Sequence, residues 1–310
     1  MSFGQAANGF AVSALGPVVV IGDIMADIHI KPLRAVRKAS DTEAVIRLGA
    51  GGAGANVAVH LAQEGAAALL IGRVGDDDLG RFVLERLSAT GVHLAVEPAA
   101  GAATGAIGVV VEAGGQRTMF PQRGANSAVD EAYVARWWPR PTAVFVSGYT
   151  LFDPATRAAG QWALRRAREA GLCAAVDAAS YAFLQDAGPG RFLQWAEDAT
   201  VMMVNREEGA VLAGSSDPER VLAVLAERFP VAVLKLDRDG AAARAGNEEA
   251  WVPAQTVPVV DTTGAGDAFD AGFLAARLAG RPLRAAVSAG VRRASEAVQH
   301  LGAWTVPAGD

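Results

Sequence analysis

Pro17-Val18-Val19-Val20-Ile21-Gly22-Asp23 is the stretch that decides the fold. Its apolar residues run without alternation and stop at a Gly-Asp pair. A strand with one wet face would alternate apolar with polar residues. An unbroken run belongs to a strand buried on both faces, as in a parallel sheet covered by helices. Outward from it the same pattern returns. Residues 68–72, 144–146, 172–177, 201–204 and 231–236 read as strands. Residues 56–65, 79–90, 154–170, 191–196, 207–213, 218–228, 267–279 and 283–299 read as helices. In the first of these, Val57, Val59, Leu61 and Ala62 form the apolar face. The second is capped around Asp76, Asp77 and Asp78. Such alternation predicts a doubly wound α/β sheet.

Two segments break the rhythm. Residues 24–48 are mixed, with a short strand at 45–48. In residues 95–120, strands at 107–112 and 118–120 flank Ala113-Gly114-Gly115-Gln116, a hairpin signature. Together they predict a small accessory sheet. A further hairpin joins 241–245 to 249–252. No repeat or linker divides the chain, so residues 1–310 are expected to form one domain.

Composition narrows the function classes. Hydrophobic residues make up 51% of 310, enough for a large core and against disorder. With net charge −5 and no basic patch, nucleic acid is not the expected partner. No apolar run approaches the roughly 20 residues of a membrane-spanning helix. Residues 1–16 lack the basic start of a signal peptide and are expected to fray. The single cysteine, Cys173, cannot form an intrachain disulfide; it reads as a buried strand residue in a reduced, cytoplasmic protein.

The densest chemistry lies in Asp261-Thr262-Thr263-Gly264-Ala265-Gly266-Asp267-Ala268-Phe269. The backbone N–H groups that open a helix attract an anion such as phosphate, and Gly264 and Gly266 clear side chains from its approach. Asp267, at the same spot, can take a proton from a hydroxyl beside that anion. The plainer alternative is a glycine-rich loop with Asp267 as a helix cap.

Other segments carry weaker signals. Gly49-Ala50-Gly51-Gly52-Ala53-Gly54-Ala55-Asn56 contains GxGxxG, and Asp76, Asp77 and Asp78 lie near the distance of a dinucleotide-binding acid. Against that reading, the first strand ends in Gly22-Asp23 rather than in the glycine run. The alternatives are a bare backbone for a polyhydroxylated ligand with Asn56 bonding its hydroxyls, or a turn capped by Asn56. Asp27, shortly after a strand end, could accept two hydroxyl bonds or be a loop acid. Asn205 and Glu208 can hold hydrated magnesium and orient phosphate, or form an ordinary capping box. Leu234-Lys235-Leu236-Asp237-Arg238-Asp239-Gly240 could line a nucleotide or simply turn a hairpin. There is no Gly-Lys-Ser/Thr phosphate loop, no HExxH, no paired CxxC and no GxSxG. His29, His60, His93 and His300 show no ligand spacing.

Taken in order, these segments resemble the ribokinase (PfkB) family of carbohydrate kinases. Gly51-Gly52 and Asn56, with Gly72-Arg73-Val74-Gly75-Asp76-Asp77 and Gly80, resemble its N-terminal signature. Asp261 to Leu274 resembles its C-terminal signature. Asn205-x-x-Glu208 resembles its phosphate–magnesium motif, and Gly22 to Asp27 its first substrate loop. The likeness runs from about Val18 to Thr305.

The resemblance implies a three-layer α/β/α fold with a central, mostly parallel sheet and a small β lid, here formed by about 24–48 and 95–120. It implies ATP, magnesium and a sugar or nucleoside acceptor. Asp267 becomes the base and Gly264, Ala265 and Gly266 the anion hole. Asp27, Gly51, Gly52 and Asn56 hold the acceptor. Asn205 and Glu208 organise phosphate and magnesium, with water between Glu208 and the ion. Lys235 and Gly240 lie in the nucleotide turn. Asp261 and Thr263, with Gly302 and Thr305, align with a loop that binds potassium in many members, and lid-mediated dimers occur.

This chain departs from the family pattern in carrying Ala53 where ribokinases have Lys, Met25 where they have Asn, and Asp237 where the nucleotide turn has Gly. The first two point away from ribose. Arg117 and Arg123 flank the lid hairpin, as solvated charges or as contacts to an acidic sugar. Only Phe120 and a few neighbours could stack a nucleobase, which favours a simple sugar over a nucleoside. A non-catalytic binding protein and a dinucleotide oxidoreductase are the readings from other classes.

Overall fold

The computed structural model of the protein describes residues 16–111 and 117–304. The expected frayed tail, the turn at 113–116, the Arg117 side chain and Thr305 lie outside the described residues. The strands are β1 (Val18–Ile21), β2 (Met25–Pro32), β3 (Ala44–Gly51), β4 (Ala68–Gly75), β5 (His93–Ala99), β6 (Ala106–Val111) and β7 (Arg117–Gln122). They continue with β8 (Ala143–Ser147), β9 (Cys173–Asp177), β10 (Val201–Asn205), β11 (Val231–Lys235), β12 (Ala241–Ala245) and β13 (Glu248–Val252).

Among the described residues, nine strands form one sheet in the order β13-β12-β11-β10-β9-β8-β1-β4-β5. It is parallel from β11 through β5, and β12 and β13 add an antiparallel edge. β1 is fully buried, as its unbroken apolar run predicts. Val19 and Ile21 pack into one core with helices Arg157–Glu169, Arg206–Ala213 and Pro218–Ala226. Val18 and Val20 pack into the other, with helices Ala53–Gln63, Asp78–Ser88, Ala265–Leu278 and Leu283–Ala297. The result is the three-layer α/β/α arrangement.

From β1 the chain moves outward to β4 and β5, whereas from β8 it moves the other way to β11. The order therefore reverses between β1 and β8. Helices leave the sheet on opposite faces there and open a crevice at the carboxyl ends of the strands.

A second sheet, β3-β2-β6-β7, stands apart from the first. Two expectations change here. Residues 24–48 hold two long antiparallel strands, β2 and β3, rather than one short one. Within 95–120, residues 95–99 belong to β5 and pair with β4 in the large sheet. Leu94 and Val96 pack on the core, so burial decides a segment whose sequence pattern was weak. The helices Glu131–Arg136, Gly148–Phe152 and Tyr181–Ala187 were also missed; all are short, with too few turns to show a period. Cys173 lies in a strand as expected but is only partly buried, and burial raises its thiol pKa.

Candidate active site

Helix Ala265–Leu278 aims its N-terminus at the crevice. Its cap, Gly264, has φ 73°, and a Cβ there would lie 2.7 Å from Ala303 Cβ. Glycine is therefore required both by conformation and by space. The first turn leaves N–H groups without intrahelical acceptors, which is the physical content of the expected anion hole at 264–266.

Asp267 sits in that first turn. Asn56 Nδ2 donates to its Oδ2 at 2.7 Å, across 211 residues of sequence. Trp304 Nε1 donates to Asn56 Oδ1 at 3.0 Å. An indole nitrogen can only donate, so it fixes which end of the amide faces Asp267. The residue is partly exposed, but burial of its carboxylate lifts the pKa to about 7 against the opposing pull of Asn56.

Beneath the cradle lies a cluster that sequence reading missed. Asp177, at the end of β9, Asp267 and Asp270 offer carboxylate oxygens within 4.8 Å of one another. Lys235 Nζ donates to Asp177 Oδ2 and Asp270 Oδ1, each at 3.1 Å. Burial alone would lower the ammonium's pKa, but Asp177 and then Asp270 hold it above its usual range. Asp270 is fully buried, and that burial raises its own carboxyl. Lys235 was expected in the nucleotide turn. The structure instead carries its ammonium into this cluster, 3.4 Å from where a Cβ on Gly266 would stand. Asp177 was findable from its place at a strand end and Asp270 from its i+3 spacing to Asp267. Nothing local to Trp304 announced it.

Asp27 approaches from the small sheet. It is buried, and its Oδ1 has no hydrogen-bond partner. Burial, then Asp267 and Asp261, raise its pKa to about 7. A Cβ on Gly51 would stand 2.2 Å from Asp27 Oδ2, so the glycine makes room for that carboxylate. Gly52 has φ 97°, and its Cβ would meet Asp23 O at 2.3 Å. Gly54 packs face to face on Gly22, with a Cβ meeting backbone at 2.5 Å. Gly49 and Gly51 are in β3, not in a turn after a strand of the large sheet. The glycines thus serve close packing around Asp27, and the dinucleotide fingerprint is not formed. Asp77, its would-be acid, caps helix Asp78–Ser88 through Gly80 N.

Asn205 and Glu208 form a full capping box: Glu208 N donates to Asn205 Oδ1, while Asn205 N and Nδ2 donate to the two Glu208 oxygens, all at 2.8 Å. Glu208 is buried, which raises its pKa to about 8. With both oxygens already bonded, contact to an ion through water fits Glu208 better than direct ligation. Asp261 Oδ1 accepts from Thr263 N and Oγ1, and Oδ2 accepts from Gly302 N at 3.0 Å. The structure therefore brings Asp261, Thr263 and Gly302 together. Gly240 has φ 98° with no room for a Cβ beside Val252 O. Asp237 adopts φ 53°, a left-handed conformation that glycine would take more easily. Its side chain is exposed at the turn.

Arg123 does not point freely at the cleft. Its guanidinium bridges Asp23 (Nη2 to Oδ1, 2.5 Å) and Asp153 (Nη1 to Oδ2, 2.6 Å). Phe120 pairs with Gly108, which pairs with Ile28, so it lies on the face of the small sheet opposite Asp27. It is 62% exposed there and does not roof the site.

A crevice at a topological switch point that meets a helix N-terminus is where an α/β fold receives an anionic ligand. The family model for pfkB family carbohydrate kinases matches residues 17–308. The chain belongs to this family. It is 28% identical over 257 residues to a ribokinase of Bacillus subtilis, covering 82% of each chain. It is 30% identical to the aminoimidazole riboside kinase of Salmonella typhimurium, covering 85% of this chain and 81% of the relative. Among solved structures, adenosine kinase from Sinorhizobium meliloti superposes with a TM-score of 0.84 at 25% identity, covering 94% of this chain and 97% of that one. The protein is thus a kinase with an alcohol acceptor, of a family that uses ATP. Among the described residues no helix is long and apolar enough to cross a membrane.

Proposed function

We propose that this enzyme transfers the γ-phosphoryl group of ATP to a primary hydroxyl of a small sugar or sugar derivative. The observation that carries the proposal is the place of Asp267, held by Asn56 in the first turn of a helix that opens on the cleft. Asp27, with one buried oxygen unpartnered, comes from the other side to receive acceptor hydroxyls. Gly51, Gly52 and Asn56 complete that side.

The acceptor hydroxyl gives its proton to Asp267 as its oxygen bonds to the γ-phosphorus. The bond from that phosphorus to the ADP oxygen breaks, and ADP leaves with the electron pair. N–H groups at 264–266 stabilise the charge that spreads over the phosphoryl oxygens. Lys235, just below, adds positive charge while balancing Asp177 and Asp270. Magnesium would be held near Glu208 and Asn205 through water, and it would neutralise phosphate charge. Gly240 shapes the turn beside the nucleotide. Potassium at Asp261 and Thr263 rests on the family resemblance alone, and a comparison of rates in potassium and in an organic cation tests it.

A nucleoside acceptor is the second reading, supported by the names of two relatives. Against it, among the described residues no Phe, Tyr or Trp lies on the Asp27 face of β2, β3, β6 and β7. The small sheet would act as a lid, and the exposed Ile46, Leu48 and Phe120 on its outer face support a homodimer formed there. A cytoplasmic setting is part of the proposal, in keeping with the lone thiol. An ADP-release assay over pentoses, hexoses, sugar acids and nucleosides tests the reading. Turnover with sugars supports it; ADP release with none of them would leave a binding protein instead.

A further inference from the structure

The face of the small sheet that carries Asp27 changes character along its length. Alternation in β2 puts Asp27, His29 and Lys31 on that face. In β3, Gly49 pairs with Asp27, Arg47 with His29 and Val45 with Lys31. Around Asp27 the β3 neighbours are glycines, the β6 neighbour is Ile107, and the nearby charges of Asp267 and Asp261 make the potential negative. One and two pairs further out, three nitrogen-bearing side chains replace them.

These three line one side of a cavity of about 600 Å³. The opposite wall is Val259, Val260, Asp261 and Thr262, the stretch that leads into the helix cradle. The cavity therefore abuts the acceptor site, since Asp27 is two residues from His29 and feels the Asp261 charge. Its volume lies within the roughly 300–1,000 Å³ of pockets that take drug-sized ligands.

Among the described residues that line the cavity, Lys31 and Arg47 outnumber the one acid, Asp261. Lys31 and Arg47 are exposed and make no ion pair among the described residues. Arg34, beyond them on the chain, does pair with Glu43, at 2.9 Å. Lys31 and Arg47 are diagonal neighbours across the β2–β3 ladder, close enough for long side chains to meet on one group. Two cations against one acid leave the lining with an excess positive charge, and a bound anion would relieve their mutual repulsion.

We propose that Lys31 and Arg47 are specificity-determining residues that bind a carboxylate or phosphate carried by the acceptor sugar, at the end remote from the hydroxyl that reacts. This rests on the kinase reading for its acceptor. The hydroxyls at the reacting end face Asp27 and Asp267, where a second anionic group would be repelled. The cationic end, beyond His29, receives it.

The test compares matched acceptors: glucose with gluconate, and ribose with ribose 1-phosphate. Wild-type enzyme should prefer the anionic member of a pair in kcat/KM. Lys31→Ala with Arg47→Ala should reduce that preference by roughly tenfold or more, mainly through the acceptor KM, as expected for charge-assisted hydrogen bonds. A preference for the neutral sugars, or a preference the double variant leaves untouched, overturns the proposal while sparing the kinase reading. A matching rise in the KM for ATP assigns the cations to the nucleotide and also overturns it. If no acceptor is turned over, the kinase reading fails, and binding decides separately. Thermal stabilisation by gluconate or ribose 1-phosphate, lost in the double variant, supports the anion site; absence of stabilisation by either refutes it.

Discussion

Asp267 and Asp27 reach one cleft from two regions built on different terms. Asp267 stands on the main body, at a helix end packed into the core, with Asn56 and Trp304 holding it in place. Asp27 stands on the small sheet, with one buried oxygen unpartnered and glycines beside it on β3. Burial raises both pKa values to about 7. The difference teaches how the work divides. On the proposed mechanism, the carboxylate that takes the proton is held by an amide that is itself held, whereas the one that receives the ligand keeps an oxygen unpartnered.

The sharpest way to break this comparison is Asp267→Asn. A positioned base contributes on the order of 10²–10⁴-fold, so kcat should fall by that much while ATP still stabilises the fold thermally. Near-wild-type turnover would move the base elsewhere. In the wild type, a base must be unprotonated to work, so kcat/KM should fall as pH drops through about 7.

Lys235→Met tests whether the main-body side is held electrostatically. Removing the cation leaves Asp177 and Asp270 facing each other in the core, and breaking a buried pair costs about 3–5 kcal/mol. Chemical denaturation should show that loss; an unchanged midpoint would mean the acids are protonated and indifferent to the lysine.

Asp27→Asn should act in the opposite sense on stability. A carboxyl whose folded pKa is raised favours the folded state below its unfolded pKa, near 4, and that advantage is lost as pH rises through about 7. The variant escapes the loss. At pH 8 it should be more stable than wild type by on the order of 2–4 kcal/mol, with the gap closing towards pH 4. Its acceptor KM should rise. A variant less stable at pH 8 would show that Asp27 is satisfied in a way its orphan oxygen does not suggest.

Trp304→Phe gives the smallest effect. It removes one donor, worth about 0.5–1.5 kcal/mol, and frees the Asn56 amide to turn its oxygen towards Asp267. Turnover should fall roughly three- to tenfold, and the acidic limb of the pH profile should move to higher pH. A lower rate with an unmoved limb would make Trp304 a packing residue only.

Much of the fold was legible because it rests on local patterns. The apolar run Val18–Ile21 announces a doubly buried strand, and the strand–helix rhythm announces the layers. β5 was misplaced because His93, Glu97 and Pro98 interrupt its pattern, and only pairing with β4 makes it a strand of the large sheet. The candidate site was legible where one segment holds its residues, as in Gly264 to Asp267, which open a helix as expected. It was illegible where partners are remote: Asp177, Lys235 and Asp270 meet only when β9, β11 and a C-terminal helix are brought together.

The sequence by itself determined the α/β class, the family and the residues of the proposed phosphoryl-transfer site. These follow from short-range periodicity and from motifs a few residues long. The tertiary structure alone decided that Lys235 serves a buried acid cluster, that Phe120 faces away from the site, and that His29, Lys31 and Arg47 share a cavity. The reason is physical. Strand register sets which face a side chain takes, and burial sets the charge a carboxyl carries; neither is written within a single segment.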